Sequence, residues 1–149
     1  MPLCLTLDTN TIVSALLWHG NPRKLLDAVR SGVADSATSP VLLAELADVL
    51  GRAKFVSKVQ VSGETVEQMI NDYARVARVV FPLTAPRVVP DDPDDDHVIA
   101  CAVAARADLI VSGDLDLLRM GTYEGIGIVT AAQALATVVP LSKGVARGP

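Results

Sequence analysis

Two short apolar runs that each stop at an aspartate constrain this chain more than any other feature. Leu3–Leu7 (LCLTL) is rich in strand formers and ends at Asp8, and Leu109–Ser112 (LIVS) runs into the turn Gly113-Asp114. Short continuous apolar runs of this kind read as strands buried on both faces, as in a parallel sheet. Helical patterns separate them: Thr9–Trp18, Arg23–Arg30, Pro40–Leu50, Ser62–Ala77, Asp96–Arg106 and Ala131–Val138. Pro40–Leu50 carries the clearest start signal, with Ser39 as N-cap and proline in the first helical position. Ser62 or Gly63 is the expected start of Ser62–Ala77. Further strands are expected at Ala37–Ser39, Arg78–Phe81 and Ile126–Val129. Strands alternating with helices predict an α/β fold, a central parallel sheet with helices on both faces.

In such sheets, sites form just beyond the carboxyl ends of the strands. Asp8 and Asp114 both stand there, delivered to one edge by two separate strands. Each has a plainer role as well: Asp8 can cap the helix from Thr9, and Asp114 can close a turn. Glu45 lies on the helix Pro40–Leu50, on the face of Val41, Leu42 and Val49 and at the edge of the apolar arc. Asp48 points to the wet side, four residues before Arg52, and is expected to pair with it.

A third source of carboxylates is the run PDDPDDD, with five aspartates between positions 91 and 96. The helix that follows, VIACAVAA, is apolar all round and must be deeply buried. Asp96 shares its face with Ile99, Ala100 and Val103 and is carried inward, while Asp91, Asp92 and Asp94 are expected in solvent. Asp95 is turned by about 100° from Asp96, and both stay open as the inward acid. Two carboxylates about 4 Å apart repel by roughly 4 kcal/mol at an effective dielectric near 20. A cluster of three or four therefore needs a cation, and an all-oxygen site with open positions suits Mg²⁺ or Mn²⁺.

Composition narrows the class. The chain has 149 residues, half of them apolar but with only five aromatic side chains, so Ala, Val, Leu and Ile must build a single core. Residues 1–138 are expected to form that domain, with 139–149 as a flexible tail. The formal charge of −4 gives no global attraction to nucleic acid or membrane, which leaves local patches. Candidate phosphate contacts are Arg23, Lys24, Arg52, Lys54, Lys58, Arg75, Arg78 and Arg119. Trp18 offers a ring for stacking on a base, or for the core or a dimer contact. His97 and His19 read as helix-start and loop residues. Cys4 and Cys101 lie in apolar runs without metal-ligand spacing and read as buried thiols in a reducing cytoplasm. Neither a signal peptide nor a membrane span is expected.

The ordered set of acids resembles a known family. LTLDTNTIVSALLWHGNP is similar to the opening motif of PIN-domain ribonucleases, and DPDDDHVIACAVAARADLIVSGDLDLL to the second half of their toxin branch near the VapC group. The likeness spans about residues 3–137 and aligns the family's four acids with Asp8, Glu45, Asp96 and Asp114. Counting back from Asp114 favours Asp96 over Asp95 as the third. The resemblance implies a three-layer, Rossmann-like α/β/α sandwich and RNA cleavage dependent on Mg²⁺ or Mn²⁺. It also implies a homodimer and a cognate antitoxin. Thr9 and Asn10 would orient the first acid or its water, with Ser112 and Asp116 supporting the fourth.

Two other classes compete. LDTNT also resembles the DxDxT motif of haloacid-dehalogenase-like phosphatases, but Asn10 stands where an acid–base aspartate is required, and an amide cannot transfer that proton. A non-catalytic binding module would be expected to have lost some of the acids, yet all four are present.

Overall fold

The computed structural model describes residues 2–84, 87 and 93–147. Among the described residues six strands form one sheet: β1 (Leu3–Leu7), β2 (Ala34–Thr38), β3 (Arg78–Val79), β4 (Leu109–Val111), β5 (Thr122–Tyr123) and β6 (Ile126–Val129). Their order is β3-β2-β1-β4-β6-β5, parallel throughout except for the β5–β6 pair. The helices are α1 (Thr9–Leu17), α2 (Asn21–Arg30), α3 (Pro40–Leu50), α4 (Val56–Ser62), α5 (Val66–Val76), α6 (Pro93–Ala105), α7 (Leu115–Met120) and α8 (Ala131–Arg147), with one 3₁₀ turn at Ala53–Phe55.

Strand alternation sorts the core into two layers. Leu5, Leu7 and Val111 face α1, α2, α3, α5 and α8 through Ile12, Leu25, Leu46, Met69 and Ala134. Cys4 and Ile110 face the opposite way, onto Ile99, Cys101 and Ala102 of α6 and Leu117 of α7. The result is the expected α/β/α sandwich about a mostly parallel sheet. In the first layer Tyr73 is fully buried, and its hydroxyl lies 2.8 Å from Ser36 Oγ. Burial raises its pKa, so it stays neutral. Cys4 and Cys101 are free buried thiols, and burial pushes Cys101 up to about 12. At neutral pH both remain protonated and unreactive.

Several boundaries differ from expectation. The helix expected at Ser62–Ala77 is shorter, Val66–Val76, and a separate helix, α4, occupies Val56–Ser62 before it. Thr65, not Ser62 or Gly63, starts α5 through a capping box with Gln68. Gly63 instead closes α4 with φ of 76°. α6 begins at Pro93, three residues before the expected Asp96, since proline suits a first helical turn. α8 continues past Val138 to Arg147. Most of the proline-rich connector, Asp91 and Asp92 included, lies outside the described residues, as do residues 148 and 149 of the tail. Among the described residues no helix is long and apolar enough to cross a membrane.

Candidate active site

Sheet register fixes the first corner of the site. Leu7 pairs with Val111, so Asp8 and Ser112 leave the carboxyl edge side by side. The ladder runs one step further, with Asp8 N–H donating to the Val111 carbonyl at 3.0 Å and Ser112 N–H to that of Val129 at 3.0 Å. The chain turns from β1 towards β2 on one side, and β4 lies on the other. This gap is a topological switch point, where open α/β sheets bind ligands.

Asp8 does both jobs that its position allows. It is buried, and its Oδ1 accepts from Thr11 N–H at 2.8 Å, capping α1. Its Oδ2 accepts from the Ser112 hydroxyl at 2.5 Å. The same hydroxyl oxygen accepts from Asp114 N–H at 2.9 Å. Ser112 thus ties the acid after β1 to the backbone of the acid after β4. Asp114 in turn caps α7, with its Oδ1 accepting from Asp116 N–H at 2.8 Å. Asp116 is exposed and pairs at 3.6 Å with Arg119, outside the cavity lining.

Two helices bring the remaining acids. Ser39 follows β2 at the same sheet edge and caps α3. Buried Leu42, Leu46 and Val49 seat that helix, and half-buried Glu45 lies at the margin of their arc. Across the gap, Asp94, Asp95 and Asp96 occupy the first turn of α6. Asp8, Thr9, Asn10, Glu45, Asp94, Asp95 and Asp114 line one open cavity of about 140 Å³, with Val49, Arg52 and Val98. That is room for about four or five waters at roughly 30 Å³ each.

Asp96 is as buried as Asp95, yet the lining contains Asp94 and Asp95 and not Asp96. Helix rotation accounts for this. Val98, three residues beyond Asp95 and four beyond Asp94, lines the same cavity. Asp96 shares its face with Ile99 and Ala100, which are buried. Asp94 is exposed, as expected, but stands at the cavity rim. Asp48 and Arg52 form the expected exposed pair at 3.3 Å, and Arg52 also reaches the rim.

The carboxylates gather where several helices begin, and the partial positive charge of each N-terminus favours a nearby anion by about 0.3–1 kcal/mol. That offsets only part of their mutual repulsion. Among the described residues no group of three or more Asp, Glu, His or Cys is already closed around one point. The donor set fits a divalent ion even so. Mg²⁺ is held through one or two carboxylates and keeps waters for substrate phosphates to replace. Thr9 Oγ1, buried and lining the cavity, makes no hydrogen bond among the described residues, so a water or ligand oxygen there would satisfy it.

A family profile described as PIN domain matches residues 5–116, which is most of the chain and spans Asp8, Glu45, Asp95, Asp96 and Asp114. The chain belongs to the PIN-domain family. PIN domains are nucleases, and the family generally uses divalent metal ions. No curated protein matches the sequence. A solved chain from VapBC2 of Rickettsia felis, bound to a DNA fragment from their promoter, is similar in fold at 14% identity and a TM-score of 0.57. The match covers 85% of this PIN domain's chain and 97% of that one. Family membership displaces the phosphatase reading of LDTNT.

Proposed function

We propose that this PIN domain is a metal-dependent endoribonuclease that hydrolyses RNA phosphodiester bonds, with Asp8, Glu45, Asp95 and Asp114 holding Mg²⁺ or Mn²⁺. The observation that carries this reading is the convergence of the four acids, from four separate elements, on one cavity within the matched PIN region. When bound, the ion supplies Lewis acidity at a phosphate oxygen and lowers the pKa of water. The chain does the rest. Thr11 N–H and the Ser112 hydroxyl hold the Asp8 carboxylate in one orientation, leaving its other lone pairs for the cation. Arg52 at the rim offers a fork of donors for a phosphate. Asn10 and Thr9 supply neutral polar groups that can orient a water without adding charge. Asp96 fills a supporting role on the buried side of α6, and Asp116 one on α7.

The likeness to VapBC2 supports a toxin role with a cognate antitoxin protein, and the proposal extends to a type II pair, a homodimeric toxin and a cytoplasmic setting. The direct test is a mixed RNA pool incubated with Mg²⁺, with Mn²⁺ and with EDTA, alongside Asp8→Asn. The expected result is cleavage that EDTA and the substitution both abolish. Cleavage surviving both in a folded protein would overturn the assignment.

A further inference from the structure

An anionic RNA meets a cavity with five carboxylate side chains and one guanidinium. Something outside that cavity has to bring it in. The cations expected to contact phosphate divide clearly in the structure. Arg23 is committed to carbonyls at the end of α1, donating from Nε to Ala15 and from Nη2 to Leu16. Arg78 donates to the Ala105 carbonyl at 2.6 Å. Both are fixed within the fold. Arg52, Lys54 and Lys58 form a different group, exposed and consecutive along the 3₁₀ turn and α4.

These three are organised by two rings. Arg52 lines the cavity and starts the turn, where Phe55 N–H donates to its carbonyl at 3.0 Å. Phe55 meets Trp18 edge-on, with centroids 6.0 Å apart. Lys54 Nζ lies 5.1 Å from the Phe55 centroid and Lys58 Nζ 5.2 Å from that of Trp18. Trp18 is 40% exposed, large for an indole at the end of an apolar helix. It stands at the far end of α1 from Thr9, roughly 14 Å away at about 1.5 Å per residue.

We propose that Arg52, Lys54, Lys58, Phe55 and Trp18 form a binding strip for single-stranded RNA that leads into the acidic cavity. This rests on the ribonuclease reading of the cavity. The lysines take phosphates, and a base stacks on Trp18. Magnitudes favour the exchange. An exposed cation–π contact contributes about 0.5–1 kcal/mol, and a base on an aromatic ring about 1–3 kcal/mol. A base can therefore displace the ammonium, which moves onto the neighbouring phosphate. The Arg52–Asp48 pair is exposed and contributes little, so it yields in the same way. The strip selects single strands, because only unstacked bases present a face to the ring.

Trp18 is the only tryptophan in the chain, so its fluorescence reports on the strip alone. The experiment titrates a 12-nucleotide single-stranded RNA of mixed sequence into full-length Asp8→Asn protein, which keeps the oligonucleotide intact. Fluorescence quenching and the anisotropy of a labelled 12-mer are read in parallel. Expected are saturable quenching, weakening of binding by about tenfold in Lys54→Ala/Lys58→Ala, and a salt slope lower by about 0.7 for each phosphate no longer neutralised. Trp18→Ala should weaken binding by about tenfold. A blunt RNA duplex should not quench. Binding by anisotropy without quenching, or a double-lysine variant that binds as tightly with the same salt slope, would overturn the proposal. The unmodified protein with Mn²⁺ and bis(p-nitrophenyl) phosphate, an ester too small to reach the strip, reads the cavity separately. If the ester is hydrolysed and the RNA does not quench, the strip alone fails; if the ester is untouched as well, the ribonuclease reading fails with it.

Discussion

Asp8 and Asp114 are strand-borne; Glu45 and Asp95 are helix-borne. The two halves of the acid set are held by different physics. Parallel-sheet register fixes Asp8 and Ser112, and the Ser112 hydroxyl ties the Asp8 carboxylate to the Asp114 backbone, so the corner is held by hydrogen bonds. The second pair rides on α3 and α6, whose positions depend on apolar packing by Leu42, Leu46, Val98 and Ile99. Packed helices can slide past one another by small shear motions, which a hydrogen-bonded ladder resists. One side of the cavity is thus a fixed corner, and the other is an adjustable wall. A cation bound between them would draw the wall onto the corner.

The largest expected effect comes from the fixed corner. Asp8→Asn should cut RNA cleavage by roughly a thousandfold, about 4 kcal/mol. Its melting temperature should stay near that of the parent, since asparagine also caps helices. Single-turnover cleavage beside thermal unfolding checks both. Asp8→Ala should lose a further 0.5–2 kcal/mol of stability, roughly the value of a cap. If both variants melt alike, the cap contributes nothing.

Ser112→Ala comes next. It leaves every acid in place and removes the bridge between them. Activity should fall by about 10- to 100-fold, the usual range for a group that orients a metal ligand. Stability should fall by about 1–3 kcal/mol, because the Asp8 carboxylate and Asp114 N–H lose a buried partner. Urea unfolding and metal titration together separate the two losses. An unchanged metal affinity would mean the corner holds its shape without Ser112.

On the adjustable wall, Asp95→Asn should lower cleavage and metal affinity together by about tenfold or more. Asp96→Asn should change stability more than metal affinity. The reverse ranking, by calorimetric metal titration, would show that α6 is rotated differently when an ion is bound.

The smallest effect concerns the packing behind α6. The Cys101 thiol ionises near 9.0 in an unfolded chain and at about 12 when buried here. The folded state therefore holds that proton more firmly. The stability gained is complete below pH 9 and is lost as pH rises from 9 towards 12. Thermal melts across this window should fall with pH, and Cys101→Ala should flatten part of the decline. An equal slope in the variant would assign the alkaline loss to Tyr73 and Cys4, whose pKa values are also raised by burial.

The fixed corner was the legible part of the sequence. Apolar runs that stop at Asp8 and Asp114 place those residues at a strand end without knowledge of any long-range contact. Glu45 was legible too, because Ser39-Pro40 sets the start of α3 and hence its rotation. Which aspartate of the run lines the cavity was not. Shifting the start of α6 from Asp96 to Pro93 puts all three aspartates in its first turn, and which of them meets the cavity depends on the angle at which the helix packs. α7 and β5 were missed because six and two residues are too short to display a period. α4 (VSKVQVS) has the β-branched content of a strand and no buried residue to reveal a helical face. The Thr65–Gln68 capping box was written in the sequence as T-V-E-Q and could have placed the start of α5. The pairing of Trp18 with Phe55 depends on two segments separated by α2, β2 and α3, and no local pattern announces it.

Among the described residues the sheet ends on both sides in a strand of only two residues, Arg78–Val79 and Thr122–Tyr123. Such stubs offer a passing chain almost no unpaired backbone to zip onto. At the high concentrations of an overexpressing cell or a crystallisation drop, the protein should resist edge-to-edge fibre growth. For the same reason, a peptide inhibitor designed as an added strand would find little purchase, and an inhibitor that covers helices and the cavity mouth is the better starting shape.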